Sequence, residues 1–564
     1  MTNSGNACFS TVYLYNSIVM KINRRIILII ICALLCLAAC FVIRETVSNK
    51  TGGISAHMTD FNKDLKSASL DDDHRTTYEI FVCSFCDSNG DGIGDLNGIR
   101  SKLDYITDLG FDAIWLTPIH PSATYHKYDV DDYYAVDPAF GTMEDFEALL
   151  AECHAKGVRV YMDMVFNHTS DENSWFRAAS DYLHELPDGW EPDTSYCKYF
   201  DYYNFRREPA EGFTQVNGTG WYYESRFWSE MPELNLDSEY VRGEIRDIMR
   251  FWLDKGVDGF RLDAVTSYFN GQPEKNSEFL RYLKETASSI DPDCYIVGEA
   301  WTDREIVDVL YSSGIDSLFD FSFAGADGVI ARTLNGGCTA ADYVREMMMS
   351  EAVCTGNGRE CIDAPFYTNH DIDRSAGYYP NDDGPATKMA YAMSLLMTGN
   401  SFVYYGEELG MNGSGRDENR RAPMYWSSDA ADPEMCAGPP GMDSIGMKYP
   451  PADEQIKDET SLHRWFKEVI RVRNAFPAIA RGRTEIAEAL CDDTTASFFR
   501  KSNDHDDLLI VMNLSADETE KDLTAAGEDF RLAAVLNTGE DGISYQDSKL
   551  RLPAYSIAVF SCEQ

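Results

Sequence analysis

From residue 78 to residue 405 one unit recurs: a short apolar run, then a stretch with helical periodicity. Residues 78–82 open the series, after which Leu96, Ile99, Leu103, Ile106 and Leu109 recur at helical spacing until Gly110 stops the helix. Residues 111–117 are the second run, 143–156 a helix closed by Gly157, and 158–164 the third run. Later runs fall at 257–262, 295–298, 318–321, 364–368 and 402–405, with helical stretches such as 242–254 between them. Eight strands, each leading into a helix, predict an α/β fold, a (β/α)8 barrel of parallel strands. The catalytic barrel is expected over residues 76–167 and 238–477. Residues 168–237, between strand three and its helix, are too long for a loop and are expected to form an inserted domain. After Pro477 the texture changes to alternating strands with turn signals, so residues 478–564 are expected to form a small all-β sandwich domain.

A barrel of this kind does its chemistry where strands end. Strand three ends in Asp163-Met164-Val165-Phe166-Asn167-His168 and strand four in Gly259-Phe260-Arg261-Leu262-Asp263. Strand five ends in Val297-Gly298-Glu299-Ala300-Trp301 and strand seven in Tyr367-Thr368-Asn369-His370-Asp371. One acid at one strand end is as readily a helix cap as a catalyst. Four at matched ends, two with an adjacent His, point to a site. Glycosidic cleavage needs two carboxyl groups in different environments, one ionised and one protonated. Arg261 stands two residues before Asp263, so both side chains point into the barrel mouth, and its charge is expected to keep Asp263 ionised. Glu299 has no basic residue within three positions and Trp301 close by, so it is the expected carrier of a raised pKa.

These four segments, in this order, resemble the signature regions of the α-amylase family, glycoside hydrolase family 13. The resemblance runs from about residue 78 to the C-terminus. It implies that Asp263 is the nucleophile of a retaining reaction, Glu299 the general acid/base, and Asp371 the third acid that grips substrate hydroxyls. It implies further that His168, Arg261 and His370 line the sugar subsite at the cleaved bond, with Tyr128 of His126-Lys127-Tyr128-Asp129 as an aromatic platform. The insertion resembles the family's domain B. Met231-Pro232-Glu233-Leu234-Asn235 resembles its fifth conserved region, in a form intermediate between oligo-1,6-glucosidases and neopullulanases. Leu552-Pro553-Ala554-Tyr555-Ser556 resembles the end of its C-terminal β domain. The implied activity is cleavage of α-1,4-glucosidic bonds in malto-oligosaccharides and starch-type glucans.

One departure bears on specificity. Many α-amylases carry a Lys-His pair shortly after the nucleophile, where this chain has Thr266-Ser267. Binding on the leaving-group side is therefore expected to differ. Ala264, next to the nucleophile, stands where the oligo-1,6-glucosidase branch typically has Val, which favours α-1,4 action. Two alternatives stay open: a transglycosylating or α-1,6-acting enzyme (a trehalose synthase or an oligo-1,6-glucosidase), and a non-catalytic amylase-like transporter subunit. The intact set Asp263, Glu299 and Asp371 argues against the last.

Asp87-Ser88-Asn89-Gly90-Asp91-Gly92-Ile93-Gly94-Asp95 places oxygen side chains at positions one, three, five and nine, with Gly at six, as an EF-hand loop begins. Gly98 stands where an EF-hand needs Glu, so the expectation is a hard-cation loop of another kind. It resembles the family's calcium loop after strand one. Asp87, Asn89, Asp91, Asp95 and the Ile93 carbonyl are the candidate Ca2+ ligands, and Asn167 a candidate at a second calcium site.

The N-terminus has a different character. Lys21, Arg24 and Arg25 precede an apolar run, residues 26–43, closed by Arg44, which reads as a membrane-targeting segment with Met20 as a candidate initiator. Leu37-Ala38-Ala39-Cys40 within it resembles a lipobox, making Cys40 a candidate lipidation site; an uncleaved type II anchor is the alternative. Either way residues 1–48 are an anchor, residues 49–75 a polar tether, and the enzyme sits on the outer face of a cell membrane. A monomer is expected. With 49 Lys+Arg against 93 Asp+Glu, the formal charge of −44 excludes nucleic acid as a partner and suits a neutral glucan. Of fifteen cysteines, eleven lie beyond the anchor without zinc-ligand pairs, and only Cys354 and Cys361 suggest a disulfide.

Overall fold

Eight parallel strands form the barrel in the computed structural model, which describes residues 54–68, 72–187, 189–382, 384–429, 431–527 and 530–562. They are β1 (Thr76–Ile80), β2 (Ala113–Leu116), β3 (Arg159–Met164), β4 (Gly259–Leu262), β5 (Tyr295–Gly298), β6 (Ser317–Asp320), β7 (Ala364–Pro365) and β8 (Ser401–Tyr404). Neighbours pair in chain order, β8 pairs with β1, and a single parallel bridge from Phe366 to Phe402 closes the ring. The seventh run breaks off early, at Pro365, whose nitrogen has no hydrogen to give a ladder. The first expected helix is split at Lys102 into Leu96–Ser101 and Leu103–Leu109.

The period of two along each strand sorts the side chains. Trp115, Tyr161, Tyr295, Val297, Phe319 and Phe402 point inward and fill the barrel, while Ile114, Leu116, Met162 and Ile296 pack outward under the helices. Gly259 belongs to the inward set because there is no room for more: a Cβ there would lie 2.2 Å from the Tyr295 carbonyl and 2.9 Å from the Tyr161 ring. One inward step further along, the lining turns polar. Tyr161 is followed by Asp163, Gly259 by Arg261 and then Asp263, and Val297 by Glu299. Residues of adjacent strands at this level lie side by side, Asp163 opposite Arg261 and Arg261 opposite Val297.

The insertion after β3 holds a helix, Ser174–Glu185, and a three-stranded sheet of Phe205–Arg206, Phe213–Gln215 and Tyr222–Glu224. Isolated bridges join His168 to Glu233 and Tyr203 to Leu234 within it, and the Leu234 N–H donates to the Asn167 carbonyl just after β3 at 2.9 Å. The C-terminal domain has a five-stranded antiparallel sheet and a four-stranded one. The second sheet corrects the tether expected before the barrel. Ile54–Ala56 is an edge strand paired antiparallel with Ile543–Gln546, and the buried Asn62 side chain bonds both the carbonyl and the N–H of Val535. Ile54, Ala56 and Met58 supply the apolar contacts that hold it there. Among the described residues no helix is long and apolar enough to cross a membrane; the expected anchor and Cys40 lie outside them. The eleven cysteines from Cys83 to Cys562 are free thiols, so Cys354 and Cys361 are not joined.

Candidate active site

Arg261 organises the barrel mouth. Its guanidinium is fully buried, lies over the Trp115 ring at 5.2 Å, and meets three carboxylates. Nη1 lies 2.8 Å from Asp163 Oδ1 and 2.8 Å from Asp263 Oδ1; Nη2 lies 2.8 Å from Glu299 Oε2. Reading Glu299 as far from any base therefore holds along the chain but fails in space, because β4 and β5 are neighbours and Arg261 reaches across. Its acidity is still weakened. Burial drives Glu299 up to about 7, Arg261 opposes this, and the charges of Asp263 and Asp371 add to it. Glu299 Oε2 also accepts the backbone N–H of Ala264 at 3.0 Å. Asp163 is likewise pushed up to about 7 by burial, against the pull of Arg261.

Asp371 enters from the loop after β7. Burial alone would raise its pKa, but His370, Arg421 and Arg261 outweigh that and hold it at about 2. Arg421 Nη2 donates to Asp371 Oδ1 at 2.7 Å, while Nη1 donates to the Tyr125 hydroxyl and Nε to the His370 carbonyl. The His370 ring is fully buried, with Nδ1 against Glu79 at 2.6 Å and Nε2 against the Tyr128 hydroxyl at 2.6 Å. Arg261 and His370, expected to line the sugar subsite, thus stand behind the cleft wall, with both terminal nitrogens of Arg261 turned to carboxylates and both ring nitrogens of His370 to protein partners, while Arg261 Nε is buried without one.

The cleft in front is about 430 Å³ and is bounded by Tyr128, His168, Asp263, Glu299, Asp371 and Arg421. All three acids are brought to this one opening. Tyr128 stacks on His370 with ring centroids 5.5 Å apart, and its hydroxyl donates to Asp163 at 3.0 Å. Lys127 just before it has φ 66°, a left-handed turn that delivers the ring to the cleft. His168 Nε2 bonds the Tyr128 carbonyl at 3.1 Å; its Nδ1 is buried without a protein partner. Trp301, 59 % exposed, stacks on Phe321 at the rim rather than against Glu299. Thr266 and Ser267 also line the cleft, where the Lys-His pair would stand.

Sequence reasoning missed Arg421, Glu79 and, on the insertion, Phe227. Glu79 carried a signal, being an acid on the inward face of a strand that is otherwise buried end to end. Arg421, in an Arg-Arg doublet after β8, had none.

The Asp87 loop is folded around its first residue. Asp87 Oδ1 accepts the N–H groups of Asn89 and Gly90, and Oδ2 that of Gly92. Asn89 and Asp91 make the same turn with Asp91 and Ile93. Asp95 caps the following helix at Gly98 and accepts from Ser88. Among the described residues no three His, Cys, Asp or Glu side chains are gathered as a ready metal cage. The donors present are all oxygens, which fits a hard cation such as calcium. Asn167, the candidate at a second calcium site, donates to the Asp263 carbonyl at 2.8 Å and keeps a buried, unpartnered Oδ1.

Comparison with known proteins agrees with this architecture. The model of the alpha amylase catalytic domain matches residues 79–482. "Alpha-amylase 3" of Dictyoglomus thermophilum is 36% identical over 450 residues, spanning 78% of this chain and 84% of the relative. A "Glucan 1,6-alpha-glucosidase" of Streptococcus pneumoniae is 30% identical over 519 residues, spanning 80% and 92%. Among solved structures, "Eubacterium rectale Amy13B" superposes with a TM-score of 0.88 at 45% identity, covering 91% of this chain and all of that one (100%). Barrel, inserted domain, acid-lined mouth and family match converge on one assignment: this chain belongs to the α-amylase family and is a glycoside hydrolase.

Proposed function

We propose that the enzyme cleaves α-1,4-glucosidic bonds in malto-oligosaccharides and starch-type glucans with retention of configuration. The observation that carries retention is Arg261, one guanidinium in contact with both Asp263 and Glu299. That contact favours the close carboxylate spacing of retaining enzymes, ~5 Å, over the ~6.5–9.5 Å left for a water in inverting ones. Asp263 attacks the anomeric carbon while the Glu299 carboxyl gives its proton to the leaving oxygen. Glu299, now a base, then takes a proton from a water whose oxygen attacks the anomeric carbon, breaking the bond to Asp263 and releasing the sugar. Asp371, ionised and clamped by Arg421, accepts hydrogen bonds from sugar hydroxyls. His168 Nδ1, buried and unpartnered, is placed for another. The small side chain of Ala264 on the cleft wall favours α-1,4 over α-1,6 leaving groups. The test is product analysis of maltotriose, isomaltose, panose and trehalose digests by chromatography, with the first-formed anomer read by NMR. Faster cleavage of isomaltose than of maltotriose, or formation of trehalose, assigns the alternative specificity.

Calcium belongs to the same reading. The all-oxygen donors Asp87, Asn89, Asp91 and the Ile93 carbonyl are suited to hold it, with Asp95 bracing the loop through Ser88. Bound there, the ion would neutralise the loop's charge and stabilise the fold rather than take part in the chemistry. Anchoring of the exported enzyme to the outer face of a membrane, through Cys40 or through an uncleaved residue 26–43 segment, completes the proposal. Mass spectrometry of the N-terminal peptide decides: a diacylated Cys40 supports the lipid, an intact segment the protein anchor, and a free secreted chain refutes both.

A further inference from the structure

The wall behind Asp371 holds a carboxylate that no step of the proposed reaction uses. Glu79, on the inward face of β1, is 1 % exposed and meets His370 twice. Its Oε1 lies 2.6 Å from the ring Nδ1 and accepts the His370 backbone N–H at 3.3 Å. On the far side of the ring, Nε2 lies 2.6 Å from the Tyr128 hydroxyl and 3.2 Å from Asp371 Oδ2. The rings of Tyr128 and Phe81 stack against the imidazole, which fixes its plane.

Counting protons shows which face His370 turns to Asp371. The 2.6 Å contact with Glu79 requires a proton between Oε1 and Nδ1. The Tyr128 hydroxyl has one proton, and Asp163 Oδ2 is 3.0 Å away to accept it. The approach of Nε2 to the Asp371 carboxylate is attractive only if Nε2 carries a proton, since two lone pairs would repel. Glu79 and His370 together therefore hold two protons, one on Nε2 and one shared at Nδ1. Burial favours the uncharged distribution. It drives Glu79 well up, Asp371 and Asp163 adding to that against Arg261, and drives His370 down to about 3. The Glu79 carboxyl then donates to Nδ1, and Nε2–H is left to donate to Tyr128 and Asp371.

We propose that Glu79 is a positioning residue of this centre: acting through His370, it fixes an Nε2–H that faces Asp371 and holds that carboxylate in register with the other two acids. The inference rests on reading Asp371 as the third acid. Without Glu79 the ring is free to take the Nδ1–H form, which turns a lone pair toward Asp371 and pushes it away.

Two substitutions separate this from simple packing. Glu79→Leu keeps the volume and removes the partner, whereas the amide of Glu79→Gln can still donate to Nδ1 and preserve the ring proton on Nε2. On maltotriose, Glu79→Leu is expected to lower kcat by ~100-fold with KM changed far less, as for a displaced catalytic group. Glu79→Gln should recover at least ~10-fold of that loss, about one hydrogen bond's worth. In 15N-histidine spectra His370 should be the single Nε2–H tautomer in the wild type and in Glu79→Gln, whereas Glu79→Leu should lose that single form and populate Nδ1–H as well. A wild-type Nδ1–H tautomer overturns the proposal, and so does a folded Glu79→Gln enzyme no better than Glu79→Leu. If Glu79→Leu does not fold, the other two spectra decide. A wild type that cleaves no α-glucan overturns the proposed function instead, since the spectrum is read without substrate.

Discussion

Ala264 gives its backbone N–H to Glu299 Oε2 at 3.0 Å from a left-handed conformation, φ 40°. The residue after the proposed nucleophile is thus held in a strained conformation that orients the proposed acid, an arrangement typical of sites where backbone strain serves function. Ala264 also lines the cleft, where the proposed reaction would bring its methyl group beside the leaving sugar.

Specificity should therefore respond to this position. Malto-oligosaccharides are expected to be cleaved faster than isomaltose, and Ala264→Val to narrow the gap by a factor corresponding to ~1–3 kcal/mol. A β-branched residue at this φ is also strained, so Ala264→Val should melt lower than Ala264→Gly. Competing-substrate assays and thermal melts of the two variants check both parts. A wild type that prefers isomaltose or panose α-1,6 bonds contradicts the argument.

Amide replacements of the three acids probe the mechanism. Asp263→Asn, Glu299→Gln and Asp371→Asn should each lower kcat by ~100-fold or more while the fold persists. Near-normal turnover in Asp263→Asn would remove it as nucleophile.

The pH profile has a definite sign. In the proposed mechanism Glu299 acts in its protonated form, and burial raises it to about 7. Activity is accordingly retained below that value and lost above it, with kcat/KM falling tenfold per unit on the alkaline side. A profile flat from pH 6 to 9 (about two units past the expected midpoint) would show that another group is the acid.

Arg421 clamps Asp371 through a charged hydrogen bond of 2.7 Å and two further anchors. Arg421→Lys keeps the charge but cannot keep the fork, so kcat should drop by ~10-fold or more with little change in melting. Kinetics and melts together test this; unchanged kcat would mean the clamp is idle.

Calcium removal should act on stability before chemistry. A chelator should lower the melting temperature, and Asp91→Ala should blunt that response. Indifference of melting to both chelator and added calcium would leave the Asp87 loop as a turn.

Much of the fold was legible because barrel strands are short apolar runs at regular intervals, and the three acids because each closes such a run. What escaped the sequence is contact between elements. That Arg261 serves Glu299 as well as Asp263 follows from strand adjacency, which the linear order of residues does not display. Arg421 has no periodic neighbours to mark it, and the break at Lys102 falls inside an unbroken helical pattern. Ile54–Ala56 looked like tether because three residues are too few for a pattern; its partner strand lies almost five hundred residues away (Ile54 opposite Tyr545).

That edge strand sets how the molecule bears load. A pull on the chain ahead of Ile54 is met first by the C-terminal domain, through three residues of antiparallel ladder and the bonds of Asn62 to Val535. Next comes the junction just after the barrel, where the Asp72 carboxylate grips Arg481 with both oxygens at 2.6 and 2.7 Å. Tension along the N-terminus is thereby shed into the two sheets at the far end of the chain before it reaches the barrel strands.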